Sequence, residues 1–173
     1  MKVETGQGIS EAGPGDRARL EPILEESFEG WYLRHSKRTL YEIGKVRVAE
    51  VNGNAVGLTM LKTVDDRIGY VYYIAVARVS RRMGFGGRLL DDALDYFGAL
   101  GTEIVYAAAE NEDALALFSS RGFMKTNFRE VASRYGLFRA ITMYRSMLVV
   151  PGEVLLQLQL EKSEGGTRLS SRA

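Results

Sequence analysis

The hydrophobic positions of the chain change several times between the spacing of strands and the spacing of helices. Valine-rich runs flank Asn52-Gly53, a pair that favours a type I′ turn because both residues adopt positive φ, and residues 46–60 are predicted to form a β-hairpin. Residues 68–76 are rich in β-branched and aromatic side chains and predict a further strand. The other periodic segments predict strands around Ile9 and over 104–109, 123–128 and 140–149, and helices over 16–29, 32–40, 88–98 and 112–121. Strands that alternate with helices predict one α/β domain with a mixed sheet over residues 1–150.

The end of the chain has a different pattern. Leu156, Leu158 and Leu160 alternate with polar residues, and this period of two predicts a further strand within 151–161. We expect that strand at an edge of the sheet or against a partner chain, which suggests a homodimer. Residues 162–173 are mostly Ser, Gly and charged residues, and they predict a frayed tail.

Composition is typical of a globular protein with one domain. The chain has 173 residues, of which 46% are hydrophobic and 26% are charged. Lys and Arg number 23 against 22 Asp and Glu, and this balance gives no electrostatic case for binding nucleic acid or a membrane surface. The first residues lack the apolar core of a signal peptide and no segment resembles a membrane span, so we expect a soluble cytoplasmic protein.

Two residue types that often carry chemistry are scarce. The chain has no cysteine, which excludes disulfides, thiolate metal sites and a covalent cysteinyl intermediate. Its one histidine, His35, is too little imidazole for a His-rich metal cluster. We therefore expect no metal site.

The strongest chemical signal is a glycine-rich turn that joins the strand over 68–76 to the next helix. Its glycines let a ligand approach the backbone, and the unpaired amides at a helix N-terminus bind phosphate. Arg81, Arg82 and Arg88 add cationic donors, which favours an anion with two or more phosphates. The Walker pattern is absent, and the dinucleotide fingerprint would need glycine where the chain has Leu89. A plain strand-to-helix turn with solvated arginines remains an alternative.

Three motifs in order resemble the GNAT superfamily of acyl-CoA-dependent N-acetyltransferases. Residues 81–86, Arg-Arg-Met-Gly-Phe-Gly, resemble its Gln/Arg-x-x-Gly-x-Gly/Ala motif, and Ile74-Ala75-Val76 resembles the strand end before it. Residues 111–123 resemble a later segment of the family, and the likeness covers roughly residues 9–150. The resemblance implies a mixed, twisted sheet flanked by helices, whose two central parallel strands splay apart around acetyl-CoA.

The resemblance also implies a role for each cofactor-binding residue. The pyrophosphate would lie on the amides of residues 82–87, and the pantetheine arm would run beside residues 74–76. The Val76 amide would stabilise the oxyanion of the tetrahedral intermediate. Asn111 would contact the pantetheine arm, cap the following helix, or do both. The expected cofactor-binding residues are Ile74, Ala75, Val76, Arg81, Arg82, Met83, Gly84, Phe85, Gly86, Gly87, Asn111 and Phe118.

The chain departs from the family where protons are transferred. Phe118 stands where the family often has a tyrosine that protonates the leaving thiolate, although a thiol with a pKa of about 8.5 can leave largely unprotonated. Tyr70 and Tyr106 stand where many members have a carboxylate base, and a phenol of pKa about 10 is a poor base. Candidate bases are therefore Tyr70, Tyr106, Glu110, His35 and a bound water.

The predicted function is transfer of acetyl from acetyl-CoA to a primary amine by direct attack in a ternary complex. Trp31, Tyr32 and Tyr135 are the expected acceptor contacts, with ordinary packing as the alternative for each. Charges in that region are mixed in sign, so the charge of the acceptor stays open. The acceptor is a small-molecule or protein amine. The alternatives are a module that binds acyl-CoA without catalysis and an unrelated α/β binding domain.

Overall fold

The structure is a computed structural model that describes residues 6–161. The described strands are β1 (Gln7–Glu11), β2 (Lys45–Val51), β3 (Asn54–Asp65), β4 (Ile68–Val76), β5 (Ile104–Ala109), β6 (Met124–Lys125) and β7 (Val154–Gln159). The described α-helices are α1 (Glu21–Ser27), α2 (Gly30–Glu42), α3 (Phe85–Ala99), α4 (Glu112–Ser119), α5 (Phe128–Tyr135) and α6 (Leu137–Met147), with 3₁₀ helices at Pro14–Leu20 and Arg78–Ser80.

The strands form a seven-stranded mixed sheet in the order β1-β2-β3-β4-β5-β7-β6. Neighbours are antiparallel except β4 and β5, which are parallel at the centre of the sheet. The predicted β2–β3 hairpin is confirmed, with φ of 51° at Asn52 and 79° at Gly53. The predicted α/β class is confirmed as well.

Helices cover both faces of the sheet. On one face, here the α3 face, Leu90 and Phe97 of α3 and Phe118 of α4 pack on Val105 and Ala107. The other face, here the α2 face, is covered by α1 and α2 over β2–β4 and by α5 and α6 over β4, β5 and β7. The core therefore has two layers, one on each side of the sheet.

The two central strands separate along their length, as the predicted splay requires. Residues 68–71 of β4 pair with residues 104–107 of β5, and no pairing follows beyond them. On the other side of β4, Met60 lies opposite Tyr73 while the next residue, Leu61, lies opposite Val71, which leaves Tyr72 as an extra residue in a β-bulge. Because a bulge bends and twists its strand, β4 turns away from β5 and a gap opens between them.

The predicted strands over 123–128 and 140–149 are wrong. Only Met124–Lys125 of the first segment is a strand, and α5 begins at Phe128 after the Asn127 side chain caps the Glu130 amide at 3.1 Å. The second segment lies mostly in α6, which buries Ala140, Met143 and Met147. Those buried positions recur at helical spacing, and this periodicity prevails over the β-prone side chains between them.

The final strand exists, but its predicted place at an edge is wrong. β7 lies between β5 and β6 inside the sheet, where Leu156 pairs with both Ala107 and Lys125. Its alternating pattern is satisfied within the chain, which removes the reason for expecting a partner strand and a homodimer. The predicted frayed tail, residues 162–173, lies outside the described residues.

Gly69 is where the first layer of the core tests the sequence most tightly. A Cβ at this position would meet the Phe97 ring at 2.6 Å. We expect Gly69→Ala to lower the free energy of unfolding by about 1–3 kcal/mol through overpacking, measured by urea denaturation. Gly98→Ala is the matched control because nothing lies within 4 Å of its Cβ, and it should raise stability by up to about 1 kcal/mol. Equal stability of Gly69→Ala and the parent protein would contradict the packing.

Candidate active site

A cleft of about 750 Å³ opens where β4 and β5 separate. Its lining comes from α3 and α4 on one face of the sheet and from α1, α2 and α6 on the other, so it passes through the gap between the strands. The residues that line it are Ser27, Phe28, Trp31, Tyr32, Tyr70, Val71, Tyr72, Tyr73, Ile74, Ala75, Val76, Ser80, Arg81, Arg82, Gly84, Phe85, Gly86, Gly87, Ala108, Glu110, Asn111, Asp113, Ala114, Leu117, Phe118, Met147, Leu148 and Glu153.

The glycine loop presents uncapped amides at the α3 end of the cleft. Gly84 takes φ of 84° and precedes the helix without a side chain that could cap it. The first bond of the helix runs from the Arg88 amide to the Gly84 carbonyl at 3.1 Å, so the amides of residues 85–87 lie before it. Aligned helix amides of this kind form an anion site together with the helix dipole.

The three arginines around the loop have different environments. The Arg81 guanidinium donates to the Val76 carbonyl at 3.1 Å and to the Glu26 carbonyl at 2.7 Å, so it ties the end of β4 to α1. Arg88 donates to the Gln7 side chain at 3.0 Å. Arg82 lines the cleft and makes no hydrogen bond or ion pair with any residue in the described range 6–161. Arg82 is therefore the cation with the greatest freedom to meet an anion at the loop.

The backbone of β4 also offers donors to the gap. The Ala77 amide donates to Val56 of β3 at 2.9 Å. Because successive amides of a strand point to opposite edges, the amides of Ile74 and Val76 point away from β3 and into the gap. A carbonyl oxygen held at this edge would therefore find a preorganised donor.

At the α2 end, Glu153 is held in a fixed position by two donors. The Tyr32 hydroxyl donates to one carboxylate oxygen at 3.1 Å, and the Val150 amide donates to the other at 2.9 Å. Burial and then the charge of Glu153 raise the pKa of Tyr32 to about 12, so this hydroxyl stays protonated as a donor. Glu153 thus places a carboxylate against an aromatic wall.

Glu110 follows β5 on the same side of the sheet as Glu153. Tyr106 and Ala108 pack on the α2 face, and strand alternation gives Glu110 the same side. Burial is the larger cause of a raised pKa at Glu110, and the charge of Glu153 raises it further. A carboxyl group with a raised pKa accepts a proton more readily than an ordinary glutamate does.

His35 supports the wall of the cleft from behind. Its Nδ1 lies 2.8 Å from the Tyr73 hydroxyl oxygen, and its ring stacks on Trp31 with 4.8 Å between ring centroids. Burial lowers the pKa of His35, which favours the neutral ring. His35 does not line the cleft, so the structure gives it a place as a neighbour of Tyr73 and Trp31 rather than as a base in contact with substrate.

A family model for the acetyltransferase (GNAT) family matches residues 17–123. This chain belongs to that family. The ribosomal-protein-S18-alanine N-acetyltransferase from Escherichia coli is 18% identical with a TM-score of 0.67, over 95% of this chain and 99% of that chain. A GNAT family acetyltransferase from Elizabethkingia anophelis, solved with acetyl-CoA bound, is 20% identical with a TM-score of 0.64, over 89% and 98%. N-acetylglutamate synthase from Neisseria gonorrhoeae, solved with coenzyme A and N-acetyl-glutamate, is 25% identical with a TM-score of 0.65, over 91% of this chain and 36% of that chain.

These solved structures share the GNAT fold, and a search of curated proteins finds no match. Within residues 6–161 no group of three or more His, Asp or Glu side chains could hold a metal ion. No helix in the same range is long and apolar enough to cross a membrane. The chain is thus a GNAT N-acetyltransferase family enzyme whose substrates must be inferred from the cleft.

Most of the residues predicted for the GNAT site come together in this one cleft. Val76, Asn111 and Phe118 line it together with the glycine loop, and Trp31 and Tyr32 line its α2 end. Met83 is the exception among the cofactor residues, since it is 64% exposed and outside the lining. The predicted set therefore describes one continuous surface.

Tyr106 and Tyr135 are not in the GNAT cleft, and their predicted roles as base and acceptor contact need correction. Tyr106 is fully buried against α5 and α6, and burial raises its pKa, so it cannot serve as a base. Tyr135 packs on the same core from α5, where the Arg139 guanidinium lies over its ring at 5.2 Å. Family position alone identified the strand but did not show that helices cover this side of it.

Tyr70 lines the cleft but cannot act as the base proposed for it. Only 3% of its surface is exposed, and burial raises its pKa well above the ordinary value, with the charge of Glu153 adding to the shift. A phenol in this state keeps its proton. The position that matches the carboxylate of other GNAT members is therefore a packed tyrosine in this chain.

Two further residues have mixed roles. The Asn111 side chain accepts from the Ala114 amide at 2.9 Å as the predicted cap, and it also lines the cleft. Phe118 packs edge-on against Phe123 with 5.2 Å between centroids and has no proton to donate. Neither observation decides whether these residues touch a cofactor, and both stay predictions in that respect.

The sequence reasoning missed Glu153. The residue lies in the segment that was interpreted as an extra edge strand outside the domain, so it was not considered for the site. Helical spacing of Ala140, Met143 and Met147 was the signal that would have moved the last strand into the sheet and brought Glu153 beside β5.

Proposed function

We propose that this GNAT chain transfers the acetyl group of acetyl-CoA to a primary amine by direct attack in a ternary complex. The observation that carries the proposal is the single cleft through the gap between β4 and β5, with an anion site at one end and two carboxylates at the other. A GNAT relative of the same fold was solved with acetyl-CoA bound, which supports this cofactor. A cytoplasmic location stays a prediction.

The residues at the α3 end fit the cofactor. The amides of residues 85–87 and the Arg82 side chain would hold the pyrophosphate, and Ile74–Val76 would run beside the pantetheine arm. The amide of Val76 is turned into the gap, so it would donate to the thioester oxygen as negative charge develops there. Each of these contacts uses backbone that the fold already holds in place.

Proton transfer falls to Glu110 in this proposal. The acceptor arrives as an ammonium ion, loses a proton to the Glu110 carboxylate, and its nitrogen attacks the acetyl carbon. The carbon–sulfur bond then breaks, and the thiolate leaves unprotonated because its pKa is about 8.5 and Phe118 offers no proton. The absence of cysteine leaves no thiol to carry the acetyl group between the substrates.

A module that binds acyl-CoA without catalysis is the second candidate. Phe118 and the buried Tyr70 favour it, because neither supplies the proton transfer common in the family. Calorimetry with acetyl-CoA, followed by a thiol-release assay with a pool of primary amines, separates the two functions. We expect binding together with thiol release that depends on the amine. Binding without amine-dependent release would support the module, and no binding by folded protein would overturn both.

A further inference from the structure

Charge is separated along the cleft. Its cationic lining residues, Arg81 and Arg82, belong to the glycine loop, and within the described residues no Lys or Arg lines the α2 end. That end carries Glu110 and Glu153 instead. A substrate carboxylate at the α2 end would face two like charges without a cationic partner, which is a strong selection against it. The mixed charge expected from the sequence is resolved into an acidic acceptor side.

Glu153 is built as an anchor rather than as a mobile surface acid. The Tyr32 hydroxyl and the Val150 amide each occupy one carboxylate oxygen, at 3.1 Å and 2.9 Å. Each carboxylate oxygen has a second lone pair, so the group can still accept from an ammonium. Its electrostatic influence reaches Glu110, as two acids that share a small space require.

Aromatic faces surround the anchor. Trp31 is 43% exposed and lines the cleft, while its ring stacks on His35 at an interplanar angle of 11°. Tyr32 meets Trp31 edge-on with 5.2 Å between centroids, and Tyr72 lines the cleft from the bulge of β4. Ring faces next to a carboxylate favour a cation that also has an apolar body.

Resting on the proposed function, we propose that the acceptor is an aliphatic diamine or polyamine with no carboxylate beside the reacting amine. Two carboxylates have two tasks, since the reacting ammonium must lose its proton while a second ammonium stays charged. Glu110 takes the proton of the first, and Glu153 with the Trp31, Tyr32 and Tyr72 rings binds the second. The new amide forms at the first nitrogen, and the distal ammonium is unchanged by the reaction.

Three acceptors of equal chain length test this assignment, namely 1,4-diaminobutane, butylamine and 4-aminobutanoate. They differ only in the group at the far end, which is an ammonium, a methyl or a carboxylate. We expect kcat/KM for the diamine to exceed that for butylamine by about tenfold or more, as for a charge-assisted hydrogen bond of 1.5–3 kcal/mol, roughly, and 4-aminobutanoate to be poorer still.

Glu153→Gln supplies the decisive comparison. We expect it to reduce the diamine to the level of butylamine, to leave kcat/KM for butylamine unchanged, and to leave acetyl-CoA binding by calorimetry unchanged. Glu112→Gln makes the same chemical change on α4 outside the cleft and should alter none of these values. A diamine advantage that persists in Glu153→Gln, or no advantage in the parent protein, overturns the assignment.

The outcome also stays separate from that of the proposed function. If butylamine or 4-aminobutanoate is acetylated as well as the diamine, acetyl transfer stands and the acceptor class is wrong. If none of the three reacts while acetyl-CoA binds, the diamine assignment is overturned, and the pool of primary amines decides the proposed function on its own.

Discussion

Gly86→Glu is expected to weaken acetyl-CoA binding by about 100-fold or more, because like charges brought together at a binding site cost several kcal/mol. Gly86 is the second residue of α3, among the amides proposed to hold the pyrophosphate. A Cβ there would meet the Leu117 side chain at 3.6 Å, which is an ordinary contact, so the fold should persist. The new carboxylate would place negative charge at the anion site and compete for the same amides.

The neighbouring glycines would give a less clear result than Gly86. Gly84 has φ of 84°, so any side chain there strains the backbone, and a Cβ at Gly87 would lie 2.3 Å from the Arg121 guanidinium. Gly86→Gln is the control for size and should retain most of the affinity. Gly98→Glu makes the same change near the other end of α3 and should bind acetyl-CoA as the parent does. Calorimetric affinity of Gly86→Glu within threefold, roughly, of Gly86→Gln would contradict an anion site at the loop.

The parts of the fold that were predictable have strong local signals. Asn52-Gly53 needs positive φ at both positions, and only a tight hairpin of the I′ kind commonly supplies that. Asn111 precedes a helix whose amide its side chain accepts, so the boundary could be predicted to within a residue. The glycine loop was predictable for the same reason, since Gly84 does adopt a left-handed conformation before α3.

The parts that failed depend on contacts between distant segments. Residues 140–147 contain β-prone side chains, and only the burial of one helical stripe against β5 and β7 selects α6. The Tyr72 bulge reverses which residues of β4 face each side, so alternation counted from Tyr70 fails beyond it. Nothing local to Glu153 identifies it, because its importance comes from Tyr32, which lies 121 residues away along the chain.

The catalytic half of the site depends on Glu110, and Glu110→Gln is expected to lower kcat by about 10²–10⁴-fold, the usual contribution of a general base. Glutamine keeps the size of the side chain but cannot take a proton from the acceptor. The acetyl-CoA affinity should not change, because Glu110 lies on the α2 side of the gap and the loop amides lie on the other side. Steady-state kinetics with calorimetry as the binding control measures both.

The pH profile gives an independent test of the same assignment. Burial and the charge of Glu153 raise the pKa of Glu110 above its ordinary value of 4.5, and a base works only when deprotonated. The parent rate should therefore rise with pH along an acidic limb that lies above 4.5 and that is absent in Glu110→Gln. Glu153→Gln removes the neighbouring negative charge, so the pKa of Glu110 falls and the limb moves to lower pH. A limb that keeps its position in Glu153→Gln, or that survives in Glu110→Gln, would assign the base to another group.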